Sequence, residues 1–231
     1  NKGDAGSAGL LGGSPSMTGA LILAARSALH AGAGRVYAAA LGNAQSGAPM
    51  LDPLQPEIMF RDPASLREAP LTALDTETTS LDPLTARLVG ISFAVAPGEA
   101  AYLPLGHDYA GAPFQLPCEE ALSRLAAWLA SPTHAKIGQN LKYDQHVFAN
   151  HGLVLAGIAH DTLLQSYVLE SGKEGVRGHD LGQLALRHLG LQTIPFEALC
   201  GKGANQIGFN QVAVEQAAEY GAEDSDLCLR L

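Results

Sequence analysis

Three short acidic clusters in this chain carry residue types that could do chemistry. They are Asp75-Thr76-Glu77, then Asn140-Leu141-Lys142-Tyr143-Asp144, then Tyr220-Gly221-Ala222-Glu223-Asp224. Asp75 and Glu77 are two apart, which on a strand points both side chains to one face. Asn140 and Asp144 are four apart, as are Tyr220 and Asp224; on a helix that spacing stacks a pair one turn apart. Carboxylates that converge without matching Lys or Arg repel one another and lose hydration, so a shared pocket needs cations. Hard divalent ions with oxygen ligands suit such a set. Two of them about 3.5–4 Å apart are the equipment of phosphodiester hydrolysis, one activating water and the other stabilising the leaving oxygen. A tyrosine hydroxyl one turn from a ligand can orient that water. Each cluster alone is commonplace and mostly just solvated; the three in this order on suitable elements are not. The expectation is a divalent-metal hydrolase.

Those clusters need elements to aim them. From Pro70 the pattern predicts strands at Leu71–Asp75, Leu88–Val95 and Ala100–Leu105, with tight turns that suggest an antiparallel meander. Cys118–Ala130 reads as an amphipathic helix with Trp128 on its apolar side. Ala135–Gly138 is a short strand before a helix from about Leu141 to His151. Gly157–His160 leads into a helix at Thr162–Glu170. Asp180 is placed as the N-cap of a helix to His188, ended by Gly190. Gln211–Arg230 reads as a long terminal helix. Strands first, then alternating helices and strands, give an α/β fold with a mixed sheet flanked by helices.

The chain changes character near residue 69. A strand at Leu10-Leu11, a helix over Gly19–His30 and a strand at Arg35–Leu41 predict one βαβ-like unit with a parallel pair, with a further short strand at Glu57–Phe60. Residues 62–68 read as linker.

Bulk numbers narrow the function classes. The 231 residues suffice for one large domain or two small ones. No apolar run reaches membrane-spanning length and no secretory signal is evident, so a cytoplasmic protein without membrane contact is expected. The three cysteines, Cys118, Cys200 and Cys228, are scattered and lack metal-ligand spacing. They argue against a disulfide framework. The formal net charge of −9 argues against a tight nonspecific grip on nucleic acid, because phosphate neutralisation drives such binding. The chain starts at Asn1 and stops immediately after a helical pattern, at Leu229-Arg230-Leu231, so both ends are expected to continue in something longer.

Several stretches together resemble a known family. Asp75-Thr76-Glu77-Thr78, Leu88-Val-Gly-Ile-Ser-Phe93, Gly138-Gln139-Asn140-Leu141-Lys142-Tyr143-Asp144 and Tyr220-Gly-Ala-Glu-Asp224 resemble the 3'→5' exonuclease domain of bacterial DNA polymerase I. The likeness runs from about residue 69 to the C-terminus and includes Ala101–Tyr109 and Phe196–Gln206. It implies a ribonuclease-H-like fold and a proofreading exonuclease acting on single-stranded or frayed DNA 3' ends, with the polymerase domain absent. Glu219 stands where the histidine subclass would carry His, so the chain is similar to the tyrosine subclass. By this resemblance Asp75, Glu77 and Asp224 would hold one ion, and Asp75 with Asp144 a second. Mg²⁺ or Mn²⁺ is implied, with Zn²⁺ as an alternative. Tyr220 and Glu77 would position the attacking water. Leu81 and Phe196 would hold the terminal nucleotide, with Thr76, Gln139 and Asn140 as candidate contacts to it. For Phe196, core packing is an equal reading. His160-Asp161 and His179-Asp180 read as structural, and Lys142 as solvated.

The N-terminal stretch resembles another family. Lys2-Gly-Asp-Ala-Gly6, Leu11-Gly-Gly-Ser14, Met17-Thr-Gly-Ala20, Ala24-Ala25, Gly32-Ala-Gly34 and Gln55-Pro-Glu-Ile-Met59 resemble the start of ADP/ATP-dependent NAD(P)H-hydrate dehydratase. That implies a partial ribokinase-like segment over about residues 1–61. The family's later catalytic stretch is missing, so no activity transfers. Such a half unit cannot bury its strands alone. It is expected to pack on the exonuclease domain, to be partly disordered, or to pair with another chain. Two rival functions follow: a nucleotide-repair dehydratase fragment, and a noncatalytic DNA-binding module.

Overall fold

A computed structural model describes residues 7–12, 22, 24–28, 35–40, 58–61, 69–173, 176 and 178–231. Strand β1 (Ser7–Gly12) and strand β2 (Arg35–Ala40) form the parallel pair expected from the punctuation of this stretch, and residues 24–28 between them are helical. Strand β3 (Ile58–Arg61) adds to β2, also parallel, in the order β1-β2-β3. Ala25, Val36 and Ala38 are fully buried. The expected linker at 62–68 lies outside the described residues.

The second sheet is built from β4 (Leu71–Thr78), β5 (Leu88–Ala96), β6 (Glu99–Pro104), β7 (Ala135–Gly138) and β8 (Ile158–Asp161). Its order is β6-β5-β4-β7-β8. β4, β5 and β6 are the expected antiparallel meander, while β7 and β8 run parallel to β4. β5 is buried from Leu88 to Ala94 without alternation, because helices cover both faces of the sheet there.

Helices α1 (Cys118–Leu129) and α2 (Leu141–Asn150) cover one face. There Leu74, Ile91 and Leu103 pack against Leu122, Leu129, Leu141, Val147 and Phe148. Each side chain fully withdrawn from water in such a cluster contributes roughly 1.5–3 kcal/mol. Then come α3 (Thr162–Glu170), α4 (Leu181–Leu184), α5 (Phe196–Cys200) and the long α6 (Val214–Arg230). α6 covers the opposite face, where Tyr102 and Val89 meet Val212, Ala217 and Ala218, and Ala73, Ala94 and Ile137 meet Cys228. β1 lies alongside β6 and α6.

Two helix expectations change. α4 does not continue as one α-helix to His188. It widens into a π turn over Ala185–Leu189, which closes at Gly190 in the left-handed region. The turn puts consecutive side chains on one carboxylate: Arg187 reaches Glu170 at 2.6 Å and His188 at 3.0 Å. α6 begins at Val214 rather than Gln211, which closes a 3-10 turn with Phe209. The Asp108 carboxylate accepts from Asn210 at 2.8 Å and from the Gln211 side chain. His107 Nδ1 lies 2.9 Å from the Val212 carbonyl. These bonds hold Val212 extended and delay the helix.

Candidate metal centre

Alternation along β4 sends its side chains two ways. Asp75 and Glu77 follow Ala73 toward α6, while Thr76 follows Leu74 toward α2. α6 brings Asp224 to the first pair. One ligand oxygen from each of Asp75, Glu77 and Asp224 lies within 4.8 Å of the others. Glu77 is buried, and its Oε1 has no hydrogen-bond partner among the described residues. A buried carboxylate oxygen left unpaired is costly. The donor set consists of hard oxygens, so these residues fit a divalent cation.

The electrostatics agree. Burial lifts Asp75 to about 6. Burial, with the charges of Asp75, Asp224 and Asp144, holds Glu77 well above the usual carboxylate range. Asp224 is raised in the same direction by burial, then by Asp75 and Glu223. Such a cluster resists being fully ionised unless positive charge enters it.

Asp144 arrives from the other layer, in the first turn of α2 at the end of the sheet. It is buried, and the Thr76 hydroxyl donates to its Oδ1 at 2.6 Å. Burial and the charge of Asp75 raise its pKa, and the Thr76 bond opposes the rise. Tyr220 stands one turn before Asp224 on α6. Burial and the surrounding carboxylates keep this phenol protonated. The ring packs near Phe209, which stacks on Phe196 with 6.3 Å between centroids.

The other candidates are placed differently. Thr76 spends its hydroxyl on Asp144. The Gln139 amide donates to the His179 carbonyl at 2.9 Å and accepts from Thr162. Asn140 does not share a helical face with Asp144. It precedes α2 in the left-handed region, at φ 62°, with an exposed side chain that makes no cap bond. Leu81 is 93% exposed in the connection after β4, and Phe196 is half-buried against Phe209.

Other residues near the cluster carry no role in the sequence reading. The Tyr143 hydroxyl donates to the Ser80 carbonyl and meets the Thr78 hydroxyl, tying α2 to the Leu81 segment. Cys228, one turn beyond Asp224, is a buried free thiol that burial and nearby Asp75 and Asp224 keep protonated. Tyr143 lies within the Gly138–Asp144 stretch, beside Asp144. Cys228, four residues past Asp224 on the expected terminal helix, was legible by the same helical spacing.

Comparison with known proteins bears on this arrangement. The family whose model matches residues 57–231 is described as 3'-5' exonuclease. DNA polymerase I of Pseudomonas aeruginosa is 51% identical over 168 residues, covering 72% of this chain and 18% of that protein. DNA polymerase I of Chloroflexus aurantiacus is 39% identical over 199 residues, covering 82% and 20%. The chain thus spans about a fifth of the length of these curated relatives. Among solved structures, the POL domain of Pol1 from M. smegmatis in complex with DNA primer-template and dNTP superposes with TM-score 0.52 at 21% identity, over 72% of this chain and 24% of that one. Brucella melitensis NrnC with bound Mg²⁺ gives 0.52 at 19%, over 72% of each chain. These likenesses show the ribonuclease-H-like fold. No helix among the described residues is long and apolar enough to cross a membrane. With the carboxylates on β4, α2 and α6 and the match over residues 57–231, the chain belongs to the 3'-5' exonuclease family.

Proposed function

We propose that this chain hydrolyses phosphodiester bonds at DNA 3' ends with two divalent cations. The observation that carries the reading is the convergence of Asp75, Glu77 and Asp224, together with a buried Glu77 oxygen that has no hydrogen-bond partner among the described residues. The likeness to proteins named DNA polymerase I favours DNA over RNA, and proofreading as the setting in a longer polypeptide. The Mg²⁺ in the NrnC structure supports the choice of Mg²⁺ or Mn²⁺, with Zn²⁺ as the alternative.

Asp75, Glu77 and Asp224 would hold one cation, and Asp75 with Asp144 the other. Bound there, the cations would supply Lewis-acid activation of water and neutralise charge on the phosphodiester. Tyr220 would direct its hydroxyl at the attacking water, with Glu77 accepting from it. Phe196, Leu81, Asn140 and Gln139 would hold the terminal nucleotide, Phe196 by stacking. A single-stranded or frayed 3' end is the substrate, because an unpaired base is free to stack. We assign residues 1–61 to a separate ribokinase-like segment, 62–68 to a linker and 69–231 to the exonuclease domain, in a bacterial cytoplasmic protein.

The test is digestion of 5'-labelled single-stranded DNA with Mg²⁺ or Mn²⁺, beside chelator, an RNA of the same sequence and Asp75→Ala. A ladder shortening from the 3' end, abolished by chelator and by the variant, is expected. DNA left intact by wild type with metal present, or digestion equal in Asp75→Ala, overturns the proposal. Faster loss of the RNA overturns the substrate choice alone.

A further inference from the structure

The buried Asp161 carboxylate joins the starts of two helices. Its Oδ1 accepts from the backbone N–H groups of Leu163 at 3.0 Å and Leu164 at 3.2 Å, which makes it the N-cap of α3. The same Oδ1 accepts from Asn140 N–H at 3.1 Å, and Oδ2 accepts from Leu141 N–H at 2.8 Å. The first N–H groups of a helix have no partner within it. The residue in position to cap α2 is Asn140, whose side-chain oxygen would accept, but its backbone is left-handed and its side chain makes no cap bond. Asparagine adopts that conformation more readily than most residues, and here it leaves the side chain out of the capping position. Asp161, twenty residues further along the chain from Leu141, supplies the missing acceptor. It also places one negative charge at the positive ends of both helices.

From Leu141 to Asp144 the chain is a single helical turn. Where Leu141 N–H is pinned therefore fixes where the Asp144 carboxylate arrives, before Thr76 binds its far end. We propose that Asp161 is a positioning residue that sets Asp144 against Asp75 and so controls occupancy of the second cation position; this rests on the two-cation reading above. The role differs from ordinary capping because its effect falls on a different helix from the one Asp161 begins.

The two oxygens allow the roles to be separated. In Asp161→Asn the amide oxygen keeps the Oδ1 position, where three N–H groups converge. The amide nitrogen then faces Leu141 N–H, donor against donor. Asp161→Ser retains an N-cap for α3 and reaches no further, so it serves as a second variant. Amide hydrogen exchange is measured on the metal-free proteins, Mn²⁺ binding by calorimetry, and DNA digestion by steady-state kinetics. In both variants Leu141 should exchange about tenfold faster or more, while Leu163 and Leu164 stay protected. The weaker Mn²⁺ step should weaken about tenfold, and kcat should fall at least tenfold with KM within about threefold of wild type. Leu141 protection equal to wild type overturns the proposal. So does fast exchange at Leu141 with an unchanged Mn²⁺ isotherm and unchanged kcat, which would leave Asp161 a cap only. Failure of the two-cation reading would show in the wild type itself, as absent Mn²⁺ binding or intact DNA. Failure of the Asp161 proposal shows only in the variants.

Discussion

The Thr76 hydroxyl lies 2.6 Å from Asp144 Oδ1, bridging residues 68 apart in the sequence. Asp75 and Glu77 flank Thr76 but point to the other face of the sheet. One three-residue stretch thus supplies two carboxylates to the α6 side and a tether to the α2 side. The cluster is assembled from two layers because a strand alternates.

Thr76→Val should impair the reaction while Thr76→Ser should not. A hydrogen bond to a charged group is worth about 1.5–3 kcal/mol, which corresponds to a tenfold or greater loss of kcat. The bond favours ionised Asp144, so losing it raises a pKa already lifted by burial. The loss should therefore be largest at low pH and shrink as pH rises. A pH–rate profile of Thr76→Val superposing on wild type would remove this role from the hydroxyl.

Metal and stability should trade in a sign-defined way at Glu77. Its folded pKa is raised, so above the ordinary carboxylate range the folded state holds a proton that the unfolded state has lost. Metal-free stability then falls as pH rises past the unfolded value. Glu77→Gln should have a higher Tm than wild type in chelator at neutral pH. Mn²⁺ at a hundredfold excess over Kd should stabilise wild type by about 2.7 kcal/mol and the variant far less. Thermal melts with chelator and with Mn²⁺ read both effects; a lower Tm for the metal-free variant would contradict the argument.

Tyr102 sets the spacing between the sheet and α6. Its ring is buried between Gly90 and Gly221, and its hydroxyl bonds His107 at 2.9 Å. A Cβ on Gly90 would fall 2.0 Å from that hydroxyl, so Gly90→Ala should cost about 1–3 kcal/mol or more by overpacking. A Cβ on Gly221 would sit 3.1 Å from the ring, a contact relieved by a small helix shift. Alanine is also about 1 kcal/mol better than glycine inside a helix. Gly221→Ala should therefore melt within a few degrees of wild type yet lose activity, because Tyr220 and Asp224 ride on the displaced helix. Loss of Tm in proportion to activity would argue for simple unfolding.

Lys136 is fully buried, its ammonium over the Trp128 ring at 4.6 Å and bonded to the Ser131 and His134 carbonyls. Burial lowers its pKa to about 8. Between pH 8 and the ordinary lysine value the unfolded state binds the extra proton, so stability should rise with pH across that window. Lys136→Met should flatten the rise. Urea midpoints of both proteins from pH 7 to 10 measure it, and parallel curves would place the ammonium in contact with water.

Much of the site could be read along the chain because local periodicity governs it. The two-residue spacing of Asp75 and Glu77 and the four-residue spacing of Tyr220 and Asp224 are properties of a strand and a helix. Both pairs stand on those elements. The meander, the crossover helices and the parallel β1–β2 pair were legible from apolar runs and glycine punctuation in the same way.

The rest depends on partners distant in sequence. Asn140 looked like a helical neighbour of Asp144, yet it is left-handed, and its N–H and that of Leu141 both donate to Asp161. Asp161 was readable as a structural aspartate before a helix, but not as the anchor of a second one. Gln139 and Thr76, candidate contacts to the nucleotide, also hold His179, Thr162 and Asp144, which no local pattern announces. By itself the sequence determined which side chains share a face, since a backbone repeat needs no partner. Only the tertiary structure decided which faces meet, which carboxylates lose water and which oxygen stays unpaired, because hydrogen bonds and burial across the sheet join residues that no local pattern links.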